Sequence, residues 1–447
     1  MVLADLSGIE VKDVAKKFIE KYERKFVNAL LGYNLLFLQK DPKVSTNRET
    51  RARDRKVRKL MKEAYKIPFY RERFDRVGLK PKDFTCAEDL YKFPTLSKNE
   101  LREWMEEETG KDQYEYYYLD TTSGSSGTPT SVYYSPREKS WNMANWMRVL
   151  IRGGYNPLLG LTASRMSAHS VSAGQKNIFQ KAGFLRRDFI NQYEPEPVVI
   201  EQINSIKPDL LYMNKTELMR ISLYAKKHGI KMHHPTFMVP TGEMIDEQAR
   251  ALFLEIFGDG LIDAYGAAEF GSCMTKYPGT DYWRIQGDLF AVNICDDDGN
   301  PVDEGNLCIT PLYRTDFPLI NYLVGDRARQ GFKDDGTRIV VSILGRSNDF
   351  ISHADGSLTT FFMVAPIFAK SKEIVQVRLI QKSFEDLVIQ AVAIDDLTDE
   401  EIKAVEERIV SQMNEKLKQP MNISFEWMDV IEPDANGKLR LIVNEMD

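Results

Sequence analysis

The stretch LLYMNKTELMRISLYAKKHGIKMHHPTFMVPTGEMIDEQARALFLEIFGDGLIDA, residues 210–264, alternates two kinds of apolar pattern. Residues 210–213, 236–240 and 261–264 are short apolar runs of strand length. Residues 215–228 and 246–257 instead space their apolar side chains as a helix does. Strands that alternate with helices bury a sheet between helical layers, so the pattern predicts an α/β fold with layered mixed sheets. The same alternation extends over 160–345.

Outward toward the C-terminus, residues 374–380 and 386–393 read as strands and precede Thr398-Asp-Glu-Glu401. Thr398 as N-cap and Glu401 three positions on make a capping box, and Ile402, Val405, Ile409, Met413 and Leu417 carry the helix to Pro420. A last strand is expected at 423–430. This last hundred residues predicts a small α+β unit of its own.

Toward the N-terminus, Val14, Phe18, Tyr22, Phe26 and Leu30 recur at helical spacing, and a basic, exposed connector is expected from there through Lys59. Residues 60–110 read as helices broken at Pro68, Pro81 and Pro94. Residues 114–119 and 132–134 read as strands, followed by a helix over 137–152.

Four segments carry candidate chemistry. TTSGSSGTPTS, residues 121–131, has glycines at 124 and 127 that let successive N–H groups face an anion. Ser123, Ser125, Ser126 and Thr128 add hydroxyl donors. It lacks the lysine of a Walker loop and contains Pro129, so a phosphate turn and a plain turn both remain open. DAYGAAEFG, residues 263–271, sets Tyr265, Gly266 and Glu269 at a strand end, where α/β sheets tend to place ligands. YLVGDRARQ (322–330) offers Asp326, and LGRSNDF (344–350) offers Arg346, one acceptor and one donor for a sugar. Asn436-Gly437 is a strong turn that projects Lys438.

The order of these segments resembles the adenylate-forming ligase superfamily. PFYRERFDRVGLKPKDFTCAEDLYKFPTLSKNELRE, residues 68–103, is similar to the branch that holds phenylacetate–CoA ligase and the CapK-type proteins. The resemblance covers residue 60 to the end. It implies a large N-terminal adenylate-forming domain and a small mobile α+β C-terminal lid: a helical extension at 1–59, an AMP-binding domain at 60–345, a hinge at 346–350 with Asn348 or Asp349 as the pivot, and the lid at 351–447. By similarity, Ser123, Gly124, Ser125, Ser126, Gly127 and Thr128 wrap the ATP phosphates. Gly242, Glu243, Asp263, Tyr265 and Gly266 lie on the adenine side. Asp326 and Arg346 hold the ribose. Glu269 binds Mg²⁺, and Lys438 stabilises the charge of adenylation. His169 sits where relatives place an acid-binding loop, with a carboxylate contact and a plain loop role both open.

The implied reaction joins an aryl or arylacetic acid to AMP and passes the acyl group to CoA. A carrier-protein thiol or an amine is the alternative acceptor, and a nucleotide-binding homologue that has lost catalysis is the rival. The family's Cys-x-Cys before Gly-Arg is replaced by Ser342 and Leu344, so no zinc is expected. Bulk composition fits this outline. With 43% hydrophobic and 28% charged residues, a soluble core-forming protein is expected, and a net charge of −6 gives no reason to expect nucleic acid as partner. Four dispersed cysteines and the absence of a long apolar run predict a cytoplasmic protein without a membrane span. A homodimer is the commonest default.

Overall fold

Strands drawn from the alternating stretch form a parallel sheet in this computed structural model, which describes residues 19–23, 32, 34, 46–121, 130–165, 178–184, 186–191, 194–346, 350–394, 396–417, 419–432 and 439–446. The sheet runs Arg186–Ile190, Leu161–Arg165, Leu210–Asn214 and Phe237–Thr241, every neighbour parallel. Parallel neighbours need crossovers. The helices Glu196–Ile206 and Lys215–Lys227 supply two of them, and Glu247–Phe257 leads from the last strand back to Leu261. Their apolar faces meet the sheet in one cluster that includes Ile203, Leu211, Met219, Met238 and Phe253.

The chain then turns antiparallel. Asp263–Ala267, Gly271–Lys276 and Arg284–Ile285 form one sheet, joined to the parallel one by the bridge of Met238 with Leu261. Phe290–Cys295, Glu304–Pro311, Tyr322–Phe332 and Arg338–Arg346 follow as a four-stranded meander. The fold is therefore α/β with mixed, layered sheets, as the alternation predicts.

The C-terminal unit orders its strands Asn422–Trp427, Asp386–Ala393, Ile374–Gln381 and Ile442–Asn444, with the helix Asp399–Lys416 packed on them. The capping box is present: Thr398 accepts from the N–H of Glu401, and Glu401 accepts from that of Thr398. Such a cap contributes about 1 kcal/mol. Val375, Val392 and Ile431 of this unit are buried in the same cluster as Leu252 and Phe253 of the large one. Lys227 pairs with Asp429 at 3.0 Å, and Gln248 donates to the carbonyl of Phe368. The small unit is docked on the parallel-sheet layer.

Two local expectations are corrected. The basic stretch before Lys59 is no connector from Thr46 onward. Thr46–Ala64 is one helix of 19 residues, and Val57, Leu60, Met61 and Ala64 sink its inner face fully into the core. The many arginines and lysines mask that apolar stripe in the sequence. Residues 114–117 are not strand: Asp112–Tyr114 is a 3-10 turn and the strand is Tyr118–Thr121. Tyr114 stacks on Tyr133 at 4.4 Å, so its ring serves aromatic packing rather than strand alternation. Among the described residues no helix is long and apolar enough to cross a membrane.

Candidate functional site

At the carboxyl rim of the parallel sheet, Asn214 and Thr241 end neighbouring strands in register. Thr241 Oγ1 donates to the carbonyl of Met213 at 3.3 Å and lies 3.4 Å from Asn214 Oδ1. The next residue, Gly242, has φ +89°, and an added Cβ would stand 3.3 Å from Asn214 Oδ1. Only glycine holds that turn without strain. Glu243 accepts from Thr216 Oγ1 at 2.5 Å, and buried Lys215 pairs with Asp246 at 2.6 Å. Burial opposes the lysine's charge, yet Asp246 and Glu243 hold its pKa above the ordinary value.

The strand Asp263–Ala267 leaves the same rim. Tyr265 donates from its hydroxyl to Asp326 Oδ2 at 2.5 Å, with its ring edge-on to Trp283 at 6.2 Å. Asp326 in turn pairs in register with Arg346 on the neighbouring strand. Three segments far apart in sequence are thus brought together. At Gly266 a Cβ would fall on the carbonyl of Gly271, so the hairpin closes only around glycine. Asp263 is engaged otherwise: Arg250 holds its carboxylate at 2.6 Å. Burial pushes the Asp263 carboxyl up to about 6 against the pull of Arg250.

Glu269 is buried, 4% exposed. Its Oε1 accepts from the Tyr322 hydroxyl at 3.1 Å, whereas Oε2 has no hydrogen-bond partner among the described residues. A buried carboxylate oxygen left unpaired is costly and calls for a cation or donor. A hard oxygen of this kind suits Mg²⁺, which takes one or two protein carboxylates and completes its shell with water and phosphate. Among the described residues no three His, Cys, Asp or Glu side chains are grouped to hold a metal by themselves.

The two flanks of the Gly/Ser/Thr segment are Tyr118–Thr121 and Ser131–Tyr134, an antiparallel pair closed at its mouth by Thr121 and Ser131, whose hydroxyls lie 2.8 Å apart. Residues 123–128 between them lie outside the described residues, as do His169, Asn348, Asp349, Lys438 and the side chain of Arg346. Fully buried Arg314 joins this hairpin to Glu269. One end of its guanidinium donates to the Glu269 carbonyl, the other to the Tyr133 carbonyl, and the plane lies 4.1 Å from the Tyr134 ring centroid. Tyr134 donates to the carbonyl of Ala268 at 2.8 Å, and Arg102 donates to Thr130 Oγ1 at 3.2 Å. Neither Arg314 nor Arg102 is singled out by sequence reasoning, and Tyr322 enters it only as the first residue of the 322–330 motif, with no role given. An arginine in PLYRTDFPLI belongs to no motif, and nothing in its neighbours announces that it is buried.

Leu439, one residue past Lys438, packs against the apolar cluster of the parallel-sheet layer.

Comparison with known proteins agrees with this architecture. The family profile described as the CapK C-terminal domain matches residues 351–445. The phenylacetate-coenzyme A ligase of Pseudomonas putida is 24% identical over 330 residues, spanning 66% of this chain and 70% of the relative. Its namesake from Escherichia coli K12 is 27% identical over 326 residues, 65% and 69% of the two chains. A 2-hydroxyisobutyryl-CoA ligase solved in its postadenylation state with 2-HIB-AMP superposes at TM-score 0.71, 16% identical, over 90% of both chains. The same ligase in its thioesterification state, with 2-HIB-AMP and CoA, superposes at 0.56 over the same share, 17% identical. The chain therefore carries a CapK C-terminal domain over residues 351–445, is similar over about two thirds of its length to phenylacetate–CoA ligases, and shares the fold of an acyl-CoA ligase that forms an adenylate.

Proposed function

We propose that this protein activates a carboxylic acid of the aryl or arylacetic class with ATP, forming an acyl-adenylate and pyrophosphate, and then transfers the acyl group to the thiol of coenzyme A with release of AMP. The observation that carries the reading is the double grip of Arg314, which ties the exit strand of the Gly/Ser/Thr segment to the turn bearing Glu269. A phosphate-facing hairpin and a cation-seeking carboxylate are thereby fixed to one another.

In this reading the nucleotide lies along the rim. Its adenine rests against Tyr265 and the Gly242–Glu243 turn, its ribose hydroxyls donate to Asp326, and Arg346 contacts the same sugar. Its phosphates face residues 123–128. Glu269, with its unpartnered Oε2, would hold Mg²⁺, which would supply positive charge near the phosphates. Attack of a carboxylate on the α-phosphorus brings two anions together, so fixed N–H donors and a lysine at the reacting oxygens lower the barrier. Lys438 has that role, and its neighbour Leu439 packs against the apolar cluster in which the two units meet. Turning of the 351–447 unit about 346–350 then admits the thiol, a hinge motion of known type.

The test is acid-dependent ATP–pyrophosphate exchange over a panel of carboxylic acids, with Lys438→Ala as control and CoA added to the leading acid. Exchange with an aryl or arylacetic acid, lost in the control, and AMP release quickened by CoA are expected. Silence across the whole panel sinks the proposal.

A further inference from the structure

Three side chains of the N-terminal segment reach the base of the hairpin on both flanks. Glu20, 6% exposed, accepts from the Tyr117 hydroxyl at 3.3 Å. Tyr117 immediately precedes the entry strand Tyr118–Thr121. Glu23 pairs with Arg137 at 2.5 Å. Buried Asn34 donates to Ser140 Oγ at 2.8 Å, and that hydroxyl donates onward to the Arg137 carbonyl at 2.7 Å. Arg137 and Ser140 lie in the first turns of the helix Pro136–Arg152, which begins two residues after the exit strand Ser131–Tyr134.

One acid therefore holds the strand going in, and an acid and an amide hold the helix that receives the strand coming out. The contacts run over 97, 114 and 106 residues of sequence, so no local turn would produce them. Two of the three side chains are buried. A buried polar group in this position is kept only with its partner, because losing that partner costs the full desolvation of the other.

We infer that Glu20, Glu23 and Asn34 are positioning residues: the N-terminal segment is a brace that fixes the spacing of the two hairpin flanks and so presets the donors that meet the ATP phosphates. The inference rests on the adenylation reading for its functional half only. An effect of flank spacing falls on phosphate contacts rather than on the acid, because a small misplacement of fixed donors weakens the interactions they make.

The experiment compares the full chain with a Glu20→Gln, Glu23→Gln, Asn34→Ala triple variant by two readouts. Hydrogen exchange of peptides spanning 117–121 and 131–140 is expected to be faster in the variant, with exchange in 210–264 unchanged. In ATP–pyrophosphate exchange the KM for ATP is expected to rise about 3- to 10-fold, with the KM for the acid unmoved. Glu23→Arg alone is expected to raise the KM for ATP, and Glu23→Arg with Arg137→Glu to restore part of it. Unchanged hydrogen exchange at the flanks overturns the brace. Faster exchange there with an unaltered KM for ATP, or a rise shared equally by the acid, overturns its positioning role. If the unaltered chain supports no exchange with any acid, the adenylation reading fails instead, and the brace is decided by hydrogen exchange alone.

Discussion

The phenol hydroxyl of Tyr265 donates to Oδ2 of Asp326 across 2.5 Å, joining the middle of a short strand in one sheet to the middle of a strand in another. The bond holds to one another the ring proposed to meet the adenine and the carboxylate proposed to meet the ribose. Asp326→Ala removes the proposed ribose acceptor and leaves the tyrosine hydroxyl without this partner. A hydrogen bond to a charged group is worth about 1.5–3 kcal/mol, so kcat/KM for ATP should fall on the order of 10- to 100-fold. Tyr265→Phe keeps the ring and should cost less. Pyrophosphate-exchange kinetics at varied ATP measure both. An Asp326→Ala enzyme with unaltered ATP dependence would remove the ribose from this site.

Lys438 separates the two half-reactions. Its ammonium is proposed to meet charge that develops only while the acid attacks phosphorus. Lys438→Ala should therefore lower adenylation by on the order of 10²–10³. Transfer from a pre-formed acyl-adenylate to CoA should be nearly untouched. Single-turnover assays of each step read this directly, and an equal loss in both would place Lys438 elsewhere in the cycle.

Arg314 is expected to matter first for stability. It satisfies two buried carbonyls and shares its buried surroundings with Glu138, whose carboxyl burial pushes up to about 7 while Arg314 pulls it down. Arg314→Ala leaves those carbonyls unpaired at about 1–3 kcal/mol each and forfeits its contact with the Tyr134 face, so a loss of about 3–5 kcal/mol is expected. Arg314→Lys retains the charge but cannot span both carbonyls, and should recover part. Denaturant midpoints with unchanged slopes measure the loss. Variants as stable as the parent would show the grip to be dispensable.

Which parts were legible in the sequence follows from what each pattern reports. Periodicity reports burial along one element, so the strands and helices of 210–264 were readable, and Thr398 with Glu401 marked a helix start to the residue. Tyr265, Glu269, Asp326 and Arg346 were readable because they stand in short, ordered motifs, and the structure brings Tyr265, Asp326 and the Arg346 backbone together. Arg314 was not, because its role is to satisfy a group 181 residues away, and although Tyr322 opens a quoted motif, no local pattern encodes its bond to Glu269, 53 residues away. The helix Thr46–Ala64 hid for a different reason. Its buried stripe is narrow, and long basic side chains flank it on every turn. Asp263 shows the converse: its place in the motif suggested the adenine side, and its carboxylate is held by Arg250.

That placement of Asp263 gives a pH signature. Burial raises its carboxyl from the ordinary value near 4 to about 6 despite Arg250. Between those two values the folded chain holds the proton more tightly than the unfolded one does. Stability from this group is thus fully present below about pH 4 and is lost as pH rises through about 6, the reverse of a carboxylate whose pKa is depressed. Two pH units correspond to about 2.7 kcal/mol as an upper bound. Other carboxylates, such as Asp89 with its lowered pKa, slope the opposite way, so the informative quantity is a difference. Asp263→Asn still accepts from Arg250 but cannot ionise. Relative to the unaltered chain it should gain stability as pH goes from 4.5 to 7, by on the order of 1–2 kcal/mol. Urea unfolding of both proteins at the two pH values measures it. A difference that stays flat, or runs the other way, would mean that Arg250 outweighs burial and that Asp263 is ionised throughout.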